Sequence, residues 1–231
     1  MAFRKKADYI LSYKPDILIV PECEHPDKLI FNSDTPKPND MLWFGENKNK
    51  GLGIFSYSEF RFKLLKTHNP ELKIIIPIKV TGGQYDFTLY AIWANNPADS
   101  DGHYIEQVWK AIHHYEYHLK NKKIILVGDF NSNTIWDRKH RVGNHSNVVK
   151  ILEEKGIYSS YHLHHKQIQG NELHPTFYMC RHMDKPYHID YCFVSKDLAE
   201  QIKSVEIGDF DFWTKHSDHV PVIVTFNIID A

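Results

Sequence analysis

Cysteine is scarce in this chain. Three residues, Cys23, Cys180 and Cys192, stand in 231, too few and too far apart for a disulfide framework. Cys192 falls inside an apolar run and reads as a small buried hydrophobe. Long hydrophobic runs are missing too: none approaches the ~20 residues that a helix needs to cross a bilayer. The opening Met1-Ala2-Phe3-Arg4-Lys5-Lys6 lacks the apolar segment of a signal peptide. These features predict a cytoplasmic protein with no membrane partner. Net charge is small, −1 at pH 7, so the chain as a whole gives no electrostatic argument for nucleic acid. There is no internal repeat, low-complexity tract or linker, which predicts one domain over residues 1–231.

What is present suits a sizeable core. Hydrophobic residues make up 42% and aromatics 13%, ample for one large domain. Cations cluster at Arg4-Lys5-Lys6, between Lys48 and Lys50, and at Arg138-Lys139-His140-Arg141. Each cluster reads as solvated surface, with a local basic rim as the alternative. Sixteen histidines include the runs His113-His114-Tyr115-Glu116-Tyr117-His118 and Tyr161-His162-Leu163-His164-His165. A zinc site needs a convergent ligand set at fixed spacings, so solvent-exposed histidine is expected in both runs.

Apolar periodicity predicts helices at residues 1–14, 102–120 and 145–155. Pro15 ends the first and Gly156 the last. Strands are predicted at 15–22, 41–44, 51–56, 59–66, 71–80, 84–93, 123–129, 176–182, 187–195, 203–208 and 220–228, with a helical turn at 197–202. Strands far outnumber helices, and the helices lie between strand blocks. The pattern predicts an α/β (α+β) fold, a four-layer sandwich of two packed mixed β-sheets flanked by helices.

Polar clusters sit at the ends of the apolar runs. Gly128-Asp129-Phe130-Asn131 follows Lys123-Ile124-Ile125-Leu126-Val127. His188-Ile189-Asp190 precedes Tyr191-Cys192-Phe193-Val194, and Ser217-Asp218-His219 precedes Val220-Pro221-Val222-Ile223-Val224-Thr225-Phe226. Near the start, Pro15-Asp16-Ile17-Leu18-Ile19-Val20 delivers Glu22. Strands fix position, and carboxylates held at their ends can bind a metal or orient a base, which suits hydrolysis. In extended chain, Asp129 and Asn131 share a face. Alone, Gly-Asp-Phe-Asn reads as a turn; beside the other clusters it reads as part of a site. A strand follows Ser-Asp-His, so that triplet is not a helix cap.

In order and placement these clusters resemble the endonuclease/exonuclease/phosphatase superfamily, over roughly Lys5 to Phe226. The family pattern begins with an Asn on a first strand and continues through a Gln-Glu-like pair, Gly-Asp-Xaa-Asn and an Ile-Asp-Tyr-like triplet to Ser-Asp-His. All but the first have counterparts here. The resemblance implies a phosphodiesterase with nucleic acid as substrate and a divalent metal, Mg2+ or Mn2+, the ions that hard oxygen ligands favour. It implies Glu22 as the main metal ligand, with Glu24 the alternative, and Asp218 as a second metal-side acid. Asp129 would orient or deprotonate the attacking water. Asn131 would donate its amide to a phosphate oxygen. His219, its ring held by Asp190, would contact the phosphate or move a proton.

Where many members carry a His or Tyr, this chain has Trp93, which can stack on a base or donate one hydrogen bond. Asn96 can add a polar contact. Trp136, Tyr178 and Tyr187 are further stacking candidates, against the plainer reading of core filling. The first-strand Asn has no counterpart, so the resemblance implies a sheet short of that strand, with an unpaired edge. Two other readings stand beside the nuclease: a phosphatase acting on a small phosphoester or phospholipid, and a non-catalytic binding module with an incomplete metal site.

Overall fold

The computed structural model describes residues 3–30, 32–72, 75–83, 85–95 and 104–227. In chain order the elements are α1 (Ala7–Leu11), β1 (Ile17–Cys23), β2 (Asp40–Asn47), β3 (Lys50–Ser56), β4 (Arg61–Leu64), β5 (Ile75–Thr81), β6 (Phe87–Trp93) and α2 (Ile105–His114). There follow β7 (Ile124–Asp129), α3 (His145–Glu154), β8 (Ile157–Ser159), α4 (Ser160–His165), β9 (Phe177–Tyr178) and β10 (Pro186–Tyr187). The last are β11 (Asp190–Ser195), α5 (Lys196–Ala199), β12 (Ile202–Ile207), α6 (Phe210–Trp213) and β13 (Val222–Phe226).

The largest sheet runs β4-β5-β6-β7-β11-β8. It is mixed, because β6 and β7 pair in parallel while the other neighbours are antiparallel. The layer facing it comes in two antiparallel pieces, β1-β3-β2 and the ribbon β12-β13. Leu52 and Ile54 of β3 pack with Ile76, Ile78, Leu89, Ala91 and Trp93 across the first part of the interface. Cys192 and Val194 pack with Val224 and Phe226 across the second. Helices close both outer faces. Tyr90, Ile124, Leu126 and Phe193 lie under Val108, Ile112, Val148 and Leu152 of α2 and α3. On the far side Phe3, Ala7 and Leu11 cover Val20 and Phe55. The result is helix, sheet, sheet, helix, the four-layer sandwich.

Local chemistry explains the element ends near the site. In α3 the Asn144 and Asn147 side chains form a reciprocal capping box, and Asp137 accepts from the His145 and Ser146 N–H groups at 2.9 and 3.0 Å. The predicted strand 176–182 is cut to two residues. The chain turns there through Cys180 and Arg181, both at positive φ (54° and 62°). Strand β8 and helix α4 were not predicted: three and six residues are too short to show a period. Among the described residues no helix is long and apolar enough to cross a membrane.

Candidate active site

The β7–β11 ladder brings the first two acids together. Asp190, the first residue of β11, stands opposite Asp129, the last residue of β7. Gly128, next to Asp129, lets β7 lie close against β6 on its other side. Its φ is +140°, and a Cβ there would lie 1.9 Å from the Ile92 carbonyl oxygen of the adjoining β6, so only glycine fits. Asp129 is 3% exposed. Asn131 grips it twice, its backbone N–H donating to Oδ1 at 2.7 Å and its Nδ2 to Oδ2 at 2.8 Å. The Nδ2 also donates to the Ala94 carbonyl at 3.0 Å. Asn131 has φ +47°, a left-handed conformation that Asn adopts more readily than most residues. The turn folds its side chain back onto Asp129.

His219 completes the group. Its Nδ1 lies 2.9 Å from Asp190 Oδ2; a carboxylate only accepts, so Nδ1 carries the proton. Asp129, Asp190 and His219 each offer a ligand atom, all within 4.8 Å of one another. Burial would lower the imidazole pKa, but the carboxylates of Asp190, Asp129 and Asp218 outweigh it and hold the ring up at about 9. Burial, then the Asp190 charge, pushes the Asp129 carboxyl well above the ordinary range, and Glu22 adds to this; His219 and the Asn131 N–H oppose it.

A backbone clamp holds the His219 loop. The Tyr178 N–H donates to the Asp218 carbonyl and the Val220 N–H to the Thr176 carbonyl, both at 2.8 Å. The Thr176 hydroxyl oxygen accepts from the Ile189 and Asp190 N–H groups at 3.0 Å.

Two lysines belong to this region: Lys6, expected on the surface, is half-buried, and Lys50 is exposed as expected. Lys6 Nζ donates to Ser217 Oγ at 3.1 Å, and Ser217 Oγ accepts from the His219 N–H at 3.3 Å. Burial lowers the Lys6 pKa, against the charges of Asp218, Glu22 and Asp190. Lys50 Nζ pairs with Glu22 at 2.6 Å and lies 5.3 Å from the centre of the Trp93 ring. Nothing local marks either lysine among its neighbours, since the partner of Lys6 is 211 positions away.

The other sequence candidates divide. Glu22 sits at a register break in β1, between Val20 and Cys23, with φ +60°; the bulge turns its half-exposed carboxylate toward Lys50. Asp218 acts electrostatically on both Lys6 and His219. Glu24, the alternative ligand, is engaged elsewhere: it accepts from the Phe3 N–H at 2.7 Å and from Arg4 Nη1 at 2.7 Å. Trp93 is 4% exposed, packed between the sheets under Lys50, which leaves little ring face open to a base. Asn96 lies outside the described residues.

In the second histidine run His164 is exposed as expected, but His162 and His165 are not. His162 contacts Ser159 Oγ at 2.7 Å and Glu172 Oε1 at 3.1 Å, and His165 Nε2 lies 2.9 Å from the Val205 carbonyl. These half-buried rings are held by hydrogen bonds.

The donor set suits a hard divalent cation. Asp129, Asp190 and His219 offer the clustered ligand atoms, and such an ion would favour the Asp129 carboxylate that burial and then the Asp190 charge disfavour.

No protein-family model matches the chain, and no curated protein sequence does. Solved structures do. An AP endonuclease from Archaeoglobus fulgidus superposes with a TM-score of 0.68 at 19% identity, covering 96% of this chain and 93% of that one. An endonuclease/exonuclease/phosphatase family protein from Leptotrichia buccalis gives 0.58 at 16% identity, covering 96% and 91%. The fold is that of the endonuclease/exonuclease/phosphatase superfamily. A third structure with this superfamily's fold, the 3′ phosphatase NExo from Neisseria bound to product DNA hairpin, gives 0.63 at 18% identity, covering 98% and 96%.

Proposed function

We propose that this protein is a divalent-metal-dependent phosphodiesterase, a nuclease acting on DNA or RNA, built as a single domain. The observation that carries the reading is the Asp190–His219 pair set against buried Asp129, three ligand atoms within 4.8 Å, on a fold whose solved examples include nucleases and a phosphatase.

The roles proposed are those that the resemblance implies, fitted to this arrangement. A divalent ion bound through Glu22 and Asp218, Mg2+ or Mn2+, would neutralise phosphoryl charge and make water more acidic. Asp129 orients and deprotonates the attacking water. His219, cationic at neutral pH, presents its outer Nε2–H to a phosphate oxygen. Asn131 acts through Asp129; with its amide engaged at both Ala94 and Asp129, it reaches a phosphate only by giving up one of these bonds. The three cysteines are free thiols, which agrees with a cytoplasmic setting.

A second reading, a phosphatase on a small phosphoester, draws on the net charge of −1, which gives no long-range pull on a polyanion. The test incubates the purified chain with plasmid DNA, single-stranded oligonucleotides and inositol phosphates, with Mg2+, with Mn2+ or with EDTA. Metal-dependent cleavage of a nucleic acid is expected, with a rise in melting temperature when the ion binds. Full activity in EDTA rejects the metal. Turnover of inositol phosphates alone selects the phosphatase, and no turnover at all selects a binding module.

A further inference from the structure

A row of aromatic rings leads out of the site. The His219 ring centre lies 4.7 Å from that of Phe177, Phe177 lies 6.4 Å from Tyr187 at an interplanar angle of 27°, and Tyr187 lies 5.0 Å from Trp136. Backbone pairing fixes the order. His219 and Phe177 face each other across an isolated β-bridge, and Phe177 and Tyr187 are opposite in the β9–β10 ladder. Trp136 ends a short helical turn whose cap, Asn133 Oδ1, accepts from the Ile135 N–H at 3.1 Å. The outer end is the more open one: Phe177 and Tyr187 are half-buried and Trp136 is 45% exposed. Core filling accounts for the inner rings but not for an indole left open at the outer end. Exposed cations adjoin it in the chain, Arg138 and Lys139 after Trp136 and Lys185 before Tyr187.

We propose that this row is a stacking subsite for unpaired bases, which would make the preferred substrate a single-stranded stretch of DNA or RNA. The proposal rests on the nuclease reading. Every base offers a π-face, so stacking tolerates sequence, and flanking cations follow the phosphates. In a duplex those faces are covered by neighbouring base pairs, so the row selects against it.

The test measures binding in EDTA by fluorescence anisotropy, using a labelled single-stranded 12-mer, its duplex and a 12-mer carrying abasic sites throughout. Trp136→Ala should weaken binding of the base-containing single strand about tenfold, the loss of one stacked base, and leave the abasic strand unaffected. Trp136→Phe should restore most of the loss, and Tyr187→Leu, on a separate strand, should repeat it. Unchanged affinity in Trp136→Ala, or equal loss on base-containing and abasic strands, overturns the subsite. If wild-type protein cleaves single strands while Trp136→Ala binds them normally, only the subsite fails. If wild type cleaves duplex but neither binds nor cleaves single strands, the subsite fails and the nuclease reading stands; if it cleaves neither, the nuclease reading fails with it.

Discussion

At the residue scale, Asp190 does two things for His219: it sets the tautomer and keeps the ring charged. The ordinary histidine pKa is about 6.5, and the folded value is about 9. The imidazolium is therefore formed in both states below about pH 6.5, and its contribution to stability is lost as pH rises through about 9. A reaction that needs the cation should show kcat/KM falling near pH 9. Asp190→Asn removes the main opposing charge and leaves burial, so the falling limb should move to lower pH. An unmoved limb in that variant would remove His219 protonation from the mechanism. Asp129→Asn and His219→Ala should each lower kcat by roughly 10²-fold or more, as expected for an acid–base or electrostatic element. Lys6 works one step back, through Ser217 and the His219 N–H. Lys6→Met should lower kcat about tenfold, the weight of one charge-assisted hydrogen bond, with Lys6→Arg partly restoring it.

At the element scale, the site depends on how closely β6 and β7 approach. Gly128 stands where a Cβ would meet the Ile92 carbonyl at 1.9 Å. Gly128→Ala must push the two central strands apart or abandon φ +140°. Strain of this kind costs about 1–3 kcal/mol, and a backbone clash adds to it. Urea unfolding should show a loss of about 3 kcal/mol or more, with Asp129 displaced and activity falling further than stability alone explains. A loss under about 0.5 kcal/mol would mean that the strands yield easily. The bulge in β1 works differently: it aims Glu22 without breaking the pairing of Ile17–Val20 with β3.

At the scale of the whole molecule, the core offsets the burial of a polar site. Each fully buried Leu or Ile stabilises by about 1.5–3 kcal/mol, and the inter-sheet core holds several, among them Leu52, Ile54 and Ile78. Behind the β7–β11 ladder lies a polar layer. Asn133 Nδ2 donates to Glu172 Oε2 at 3.1 Å and to the His188 carbonyl at 3.0 Å. His145, 0% exposed, packs 4.9 Å from the Tyr191 ring. Burial drives its pKa down to about 4. Between about pH 6.5 and 4 the unfolded chain binds a proton at His145 that the folded chain refuses, so stability falls as pH drops through that window, by up to about 3 kcal/mol. His145→Leu should flatten this part of the curve, measured as the difference between the two proteins in urea unfolding at pH 7 and pH 4.5. Equal slopes would show that His145 accepts its proton without unfolding.

The sequence by itself determined the alternation of apolar runs, the order of most strands and the position of Asp129, Asp190 and His219 at strand ends. Those features are local: a strand announces itself within a few residues, and so does the acid that follows it. The structure alone decided which charges meet. Lys6 could not be told from Arg4 and Lys5 until folding set it against Ser217, while Arg4 went to Glu24. Glu22 and Glu24, two positions apart, part company at the bulge. His162 reads as surface in the chain and is held by Glu172 in the fold. In each case the partner lies on another element, and its distance depends on sheet pairing and layer packing, which no stretch of neighbouring residues encodes.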